Sequence, residues 1–193
     1  MRARRDRGFT VTELMVTVGI VAILATVAIW EIQRSVPNYR VSAAASRFLL
    51  DLRTTSALAA RTNRPVIFRV DVDQPGCALR YVIEQDDTVF QEVCLTSEYR
   101  GIETVNDLEE IRCKDEEDLG LAPLPKCSLC DGGAMVFLPT GEVQSSEPVG
   151  DTIVFRSADS EKSLVRAVGL RTGGIGRSRS YQWNEGAKEW ICP

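Results

Sequence analysis

Four groups of residues hold the chemistry open to this chain: a lone carboxylate, Glu13, opening an apolar run; six cysteines; the acids Asp115 to Asp118; and a glycine-rich segment, Gly173 to Arg179, that carries arginines. A carboxylate at the edge of an apolar segment demands a cationic partner, because leaving it unpaired in lipid costs about 2.5–3.5 kcal/mol. Cysteines serve as disulfides, as zinc thiolates or as a redox pair. Glycines open the backbone to a phosphate, and arginines two residues apart point the same way along an extended chain. The 193 residues include no histidine. That absence removes His-based nucleophile pairs, His general bases and His-anchored metal sites, so no enzymatic activity and no cofactor are expected.

The cysteines are Cys77, Cys94, Cys113, Cys127, Cys130 and Cys192. Their even number favours disulfides in an oxidising compartment, although sequence leaves the connectivity open. Strand proximity makes Cys77 and Cys94 candidates for one bridge. Cys113 with Cys127 or Cys130 would tether the acidic stretch between them, a closure worth about 3 kcal/mol in chain entropy. Cys192 would then anchor the C-terminus. The spacing Cys127-Ser128-Leu129-Cys130 also fits a zinc knuckle or a thioredoxin-type pair. Zinc would need further thiolates, and the redox pair normally opens a helix in a βαβ unit that this pattern lacks. Structural disulfides are therefore expected. Four consecutive acids lack the spaced ligands and turn glycine of a calcium loop, so no metal is assigned.

These groups must be held by a helix and by strands. The first seven residues hold Arg2, Arg4, Arg5 and Arg7 against Asp6, and the seventeen residues from Leu14 to Trp30 are uncharged. As helix that run is about 25 Å long, near the short limit for a bilayer span. The preceding arginines keep the N-terminus cytoplasmic and send the remainder outward. The apolar run is longer than a cleaved secretory signal requires. Ile32 to Pro37 is a more polar bridge at which Pro37 is expected to kink the chain. Val41, Ala45, Phe48, Leu52 and Ala59 then recur at helical spacing to about Arg61, with Arg40, Arg47, Asp51 and Arg53 assigned to the surface.

From Val66 the period changes to two. Val66–Val70, Leu79–Ile83 and Val89–Val93 read as an antiparallel meander. Strand pattern continues at Ala134–Leu138, Glu142–Gln144, Thr152–Arg156 and Leu164–Leu170, and Trp183–Trp190 reads as a closing hairpin. Charge is uneven across this half. Thirteen acids fall between Glu84 and Asp118 against Arg100, Arg112 and Lys114, whereas Arg166 to Arg179 holds four arginines and no acid. The stretch at about 96–133 reads as an acidic insertion, either solvated or facing a partner, with a short helix expected over Asn106–Lys114.

The order Gly8-Phe9-Thr10-Val11-Thr12-Glu13-Leu14 resembles the type III signal of type IV prepilins and type II secretion pseudopilins. The resemblance implies that a prepilin peptidase cuts between Gly8 and Phe9 and methylates Phe9. It also implies that Glu13 pairs with the N-terminal amine of a neighbouring subunit in the filament core. Phe137-Leu138-Pro139-Thr140-Gly141 and the strand from Val165 to Arg179 resemble the GspH/FimT-like minor pilin and pseudopilin branch, a looser match. The fold implied is α+β, the type IV pilin fold: a long N-terminal helix packed on an antiparallel β-sheet domain. The chain is then expected to divide into a leader at 1–8, a membrane and filament-core helix at 9–36, an amphipathic helix at 37–62 and a periplasmic head at 63–193.

The expected role is a minor pilin, priming or capping a type IV pilus after processing. Its partners are other pilins, the peptidase and, before assembly, the inner membrane. One alternative is a type II secretion pseudopilin. Another follows from Gly176-Arg177-Ser178-Arg179, which resembles the Gly-Arg-x-Arg motif of minor pilins that bind DNA in transformation. In that reading Arg177, Arg179 and Arg171 would contact the phosphates, with Tyr181 and Trp183 available for stacking.

Overall fold

A computed structural model describes residues 10–105, 110–112, 122–125, 127–130, 132–145, 150–158, 164–171, 178–184 and 189–192. The chain divides into two compact units, Met1–Val36 and Pro37–Pro193.

Helix α1 spans Val11–Thr62, with Pro37 inside it. Its N-terminus is capped by Thr10, whose Oγ1 accepts the Glu13 N–H at 3.2 Å. Such a cap satisfies one of the donors that a helix start leaves open. At the other end Asn63 takes a left-handed φ of 54° and the Arg64 N–H donates to the Ala59 carbonyl at 3.3 Å. That is the Schellman arrangement, in which a residue tolerant of positive φ stops the helix. The expected stop at Thr62–Pro65 falls here.

The second unit comprises the rest of α1 and two five-stranded antiparallel sheets. Sheet A orders β3(Thr88–Cys94), β2(Cys77–Gln85), β1(Val66–Gln74), β5(Gly133–Phe137) and β6(Val143–Gln144). The first three strands are the expected meander. The β2–β3 turn uses Asp86 and Asp87, both at positive φ, as a two-residue hairpin with right-handed strand twist requires. Phe68, Val70, Tyr81, Ile83, Met135 and Phe137 of this sheet are buried, and Val82 between two of them is buried as well. The opposite face carries cross-strand ion pairs of Arg69 with Glu84 and of Arg80 with Asp71 and Glu92.

Sheet B orders β10(Glu189–Ile191), β9(Ser178–Asn184), β8(Arg166–Arg171), β7(Gly150–Ser157) and β4(Ile102–Thr104). Trp183 and Trp190 face each other across the closing hairpin, with ring centroids 5.2 Å apart. A short helix, α2(Leu95–Glu98), links β3 toward β4.

The arc of α1 bearing Val41, Ala44, Ala45, Phe48, Leu52 and Ala59 is buried in the core. Phe48 is its hub. Its ring lies 5.3 Å from Phe68 and 5.4 Å from Tyr81 in sheet A, and 5.7 Å from Phe155 in sheet B.

Asp51 corrects the expectation that it lies on the surface: it is 5% exposed. Its Oδ2 accepts from the Tyr81 hydroxyl, from Arg47 Nε at 3.0 Å and from Gln91 Nε2 at 3.4 Å. A buried carboxylate without such donors would be strongly disfavoured. The donors come largely from β2 and β3, which the helical period cannot register. Burial, reinforced by the bond to Asp51, raises the Tyr81 phenol well above its ordinary value. Arg47 is also raised, first by its hydrogen bond with Tyr81 and then by attraction to Asp51.

The acidic stretch at 96–133 is likewise corrected where it is described. It contains most of α2 and all of β4; of the helix expected over Asn106–Lys114 only residues 110–112 are described, and there Ile111 forms a β-bridge with Leu124. Ile111, Leu124, Cys127 and Leu129 are all buried. Hydrophobic side chains that cover a sheet gain more from that contact than from local helical spacing.

Candidate functional site

From Val11 to Ile32 the large apolar side chains of α1 are exposed on every side: Leu14, Val18, Val21, Ile23, Leu24 and Trp30 are each 58–68% exposed. Its most apolar window has a mean hydropathy of 2.2, long and apolar enough to cross a membrane. A helix apolar all round requires lipid or other helices about it. The hydroxyls within it fit such surroundings, since Thr17 Oγ1 donates to the Leu14 carbonyl and Thr26 Oγ1 to the Ala22 carbonyl, both at 2.8 Å. These bonds leave little polar demand for a neighbour to meet.

Glu13 stands in the first turn, three residues after the Thr10 cap. Negative charge there is favoured by the helix dipole, which moderates the cost of a carboxylate at the head of an apolar segment. Among the described residues no cation pairs with Glu13. Gly8 and Phe9 lie outside the described residues.

Six polar contacts tie the second half of α1 and residues 122–125 and 127–130 to sheet B and its flanks. Arg53 donates to Ser178 Oγ and its carbonyl at 3.4 Å, and the Leu164 N–H donates to Asn38 Oδ1 at 2.8 Å. Arg171 Nη1 donates to the Ala122 carbonyl at 2.6 Å. Leu129 N–H donates to the Thr152 carbonyl at 3.0 Å, and Ser128 Oγ accepts the Thr152 N–H at 2.9 Å. Leu124 reaches over Gly169 so closely that a Cβ there would lie 2.6 Å from Leu124 Cδ1 and 3.0 Å from Tyr181 Cε2. Residues 122–125 and 127–130 therefore form a strap over one face of sheet B. Of the arginines predicted to meet DNA, Arg171 is engaged with this strap, and Arg179 is in β9 opposite Gly169. Arg177 lies outside the described residues.

Cys77 and Cys94 are joined, with Cα atoms 5.9 Å apart, bridging the start of β2 to the end of β3. Cys127 is joined to Cys130, which corrects the expectation that either would tether Cys113. The strap brings these two together in a tight turn, with the Cys130 N–H donating to the Cys127 carbonyl. Cys192 is also in a disulfide. Cys113 lies outside the described residues, as do Asp115 to Asp118. Among the described residues no cluster of three or more potential ligands forms a metal site.

The strap is the part that sequence reasoning missed. Its signal was in β7 and β8, where Ile153-Val154-Phe155 and Ala167-Val168-Gly169-Leu170 run apolar without alternation. Such runs mark strands covered on both faces.

Residues 3–29 match a family model described as the prokaryotic N-terminal methylation motif. No curated protein and no solved structure matches the chain. The motif supports a protein of the pilin and pseudopilin type, which implies processing by a prepilin peptidase and assembly with other pilins. The apolar helix fits inner-membrane anchoring of such a prepilin-like protein.

Proposed function

We propose that this chain is a minor pilin of the GspH/FimT-like branch, a structural subunit that enters a type IV pilus after cleavage between Gly8 and Phe9. The observation that supports the reading is the N-terminal helix, apolar on all faces and carrying one carboxylate, Glu13, inside its capped first turn. Before assembly the helix lies in the inner membrane with Arg2, Arg4, Arg5 and Arg7 on the cytoplasmic side, and the unit that begins at Pro37 lies outside. Cleavage creates an amine at Phe9, and the amine of an adjoining subunit supplies the counterion that Glu13 lacks in lipid.

Pairing across subunits makes the carboxylate's cost conditional on assembly, so the helix prefers a filament core to the bilayer. Within the head, Phe48 and Asp51 fix the second half of α1 to the sheets. Mass spectrometry of the chain recovered from membranes tests the processing step. The expected mature terminus is N-methylated Phe9. An intact Met1, or a terminus near Ile29, would overturn the reading.

A further inference from the structure

We propose that the Cys127–Cys130 disulfide is a thiol–disulfide exchange site, taking a dithiol as its reductant, and that its redox state latches or releases the strap over sheet B. The observation behind this is where the two sulfurs sit. The chain leaves β4 at Val105, whose N–H donates to the Val154 carbonyl at 3.2 Å. It returns at Cys127, whose Sγ accepts the Val154 N–H at 3.2 Å. Cys130 Sγ lies 3.4 Å from the Val105 carbonyl. Val105 and Cys127 thus meet at one residue of β7, and the cystine touches both Val105 and Val154.

The surrounding contacts depend on the turn that this bond closes. Ser128 Oγ donates to Asp151 Oδ1 at 2.9 Å, Thr152 Oγ1 donates to the Pro125 carbonyl at 2.7 Å, and the Leu129 N–H donates to the Thr152 carbonyl at 3.0 Å. Together they occupy the edge of β7 beyond the point where β4 stops pairing. The Cys77–Cys94 bridge differs, because it joins strands already fixed by a run of ladder pairs. Its loss leaves that ladder in place. Loss of the Cys127–Cys130 bond leaves a four-residue turn held by isolated hydrogen bonds.

The exchange proceeds by known chemistry. Cys130 is partly exposed whereas Cys127 is 4% exposed, so a thiolate of the reductant attacks Cys130 Sγ. The Cys127–Cys130 bond breaks, and Cys127 departs as a thiolate and takes a proton. The second thiol of the reductant then attacks its own sulfur in the mixed disulfide, freeing Cys130 as a thiol. Two electrons and two protons pass from the dithiol to the cysteine pair, and the reductant leaves as a disulfide. Leu124 is then free to lift from Gly169 and Tyr181.

The test uses the full chain in detergent micelles, titrated with dithiothreitol, trapped with iodoacetamide and mapped by peptide mass, with amide hydrogen exchange followed in parallel. The expected result is alkylation of Cys127 and Cys130 at a dithiothreitol concentration at least tenfold below that needed for Cys77 and Cys94. Exchange at residues 127–130 and 152–154 should accelerate at least tenfold, with residues 44–52 of α1 unchanged. A Cys127→Ser, Cys130→Ser double variant should show the fast exchange without reductant. Should that variant fail to fold, the titration of the unaltered chain still decides. Reduction of both bridges together, or unchanged strap protection after selective reduction, overturns the proposal.

Discussion

Replacing Phe48 with alanine should remove the hub that fixes helix α1 to both sheets. The side chain is fully buried and its ring meets Phe68, Tyr81 and Phe155 at centroid distances of 5.3, 5.4 and 5.7 Å. A buried Phe→Ala change costs about 3–5 kcal/mol, partly lost transfer energy and partly the cavity left behind. Three edge-on ring contacts place this site toward the upper end, since such pairs add about 0.5–1.5 kcal/mol each beyond area. With a urea m-value of about 2 kcal/mol per molar, the midpoint should fall by roughly 2 M. Residues 37–193 hold the whole buried cluster, so that segment can be titrated while the fluorescence of Trp183 and Trp190 is followed. Phe48→Leu, which keeps most of the volume, should lose about 1–1.5 kcal/mol. A midpoint shift below about 0.5 M for Phe48→Ala would refute the claim that this half of α1 belongs to the head's core.

Two further changes examine the strap and the buried carboxylate. Gly169→Ala drives a methyl group into Leu124 and Tyr181 and should cost about 1–3 kcal/mol; combined with Leu124→Ala, urea titration should show a total loss clearly below the sum of the two single losses. Tyr81→Phe removes a donor to Asp51 and should cost about 1–3 kcal/mol at neutral pH. Because folding raises the Tyr81 pKa, its contribution is complete below the unfolded value of about 10 and declines as pH rises above it. The stability gap between the parent and Tyr81→Phe should therefore narrow above about pH 10 in urea titrations.

What was legible in the sequence was whatever has a period. The stripe Val41, Ala45, Phe48, Leu52 and Ala59 names the buried arc of α1, and alternation names the meander of sheet A. Gly141, with a φ of 85°, donates to the Leu138 carbonyl and closes the turn between β5 and β6. Features made by distant segments were not legible. Asp51 sits on the same arc as Phe48, yet charge alone assigned it to solvent, because Tyr81 and Gln91 arrive from strands that no helical pattern announces. Ile111 fits a helical spacing but is committed by its bridge to Leu124 across the strap. The candidate site divides in the same way. Glu13 stands out in any reading because a charge in an apolar run is conspicuous, whereas the engagement of Arg171 by the Ala122 carbonyl depends on a chain path that composition does not encode.

If Glu13 finds its counterion only in a neighbouring subunit, exchanging it for glutamine should impair assembly while sparing the membrane stage. Glu13→Gln keeps the size of the side chain and leaves the Thr10 cap, which uses the backbone N–H of residue 13. The altered chain should reach the membrane at parental levels while its share in sheared filaments, measured by quantitative mass spectrometry, falls at least tenfold, as expected when about 2.5–3.5 kcal/mol of conditional pairing is lost. Incorporation at the parental ratio would mean that Glu13 has no counterion in the neighbouring subunit.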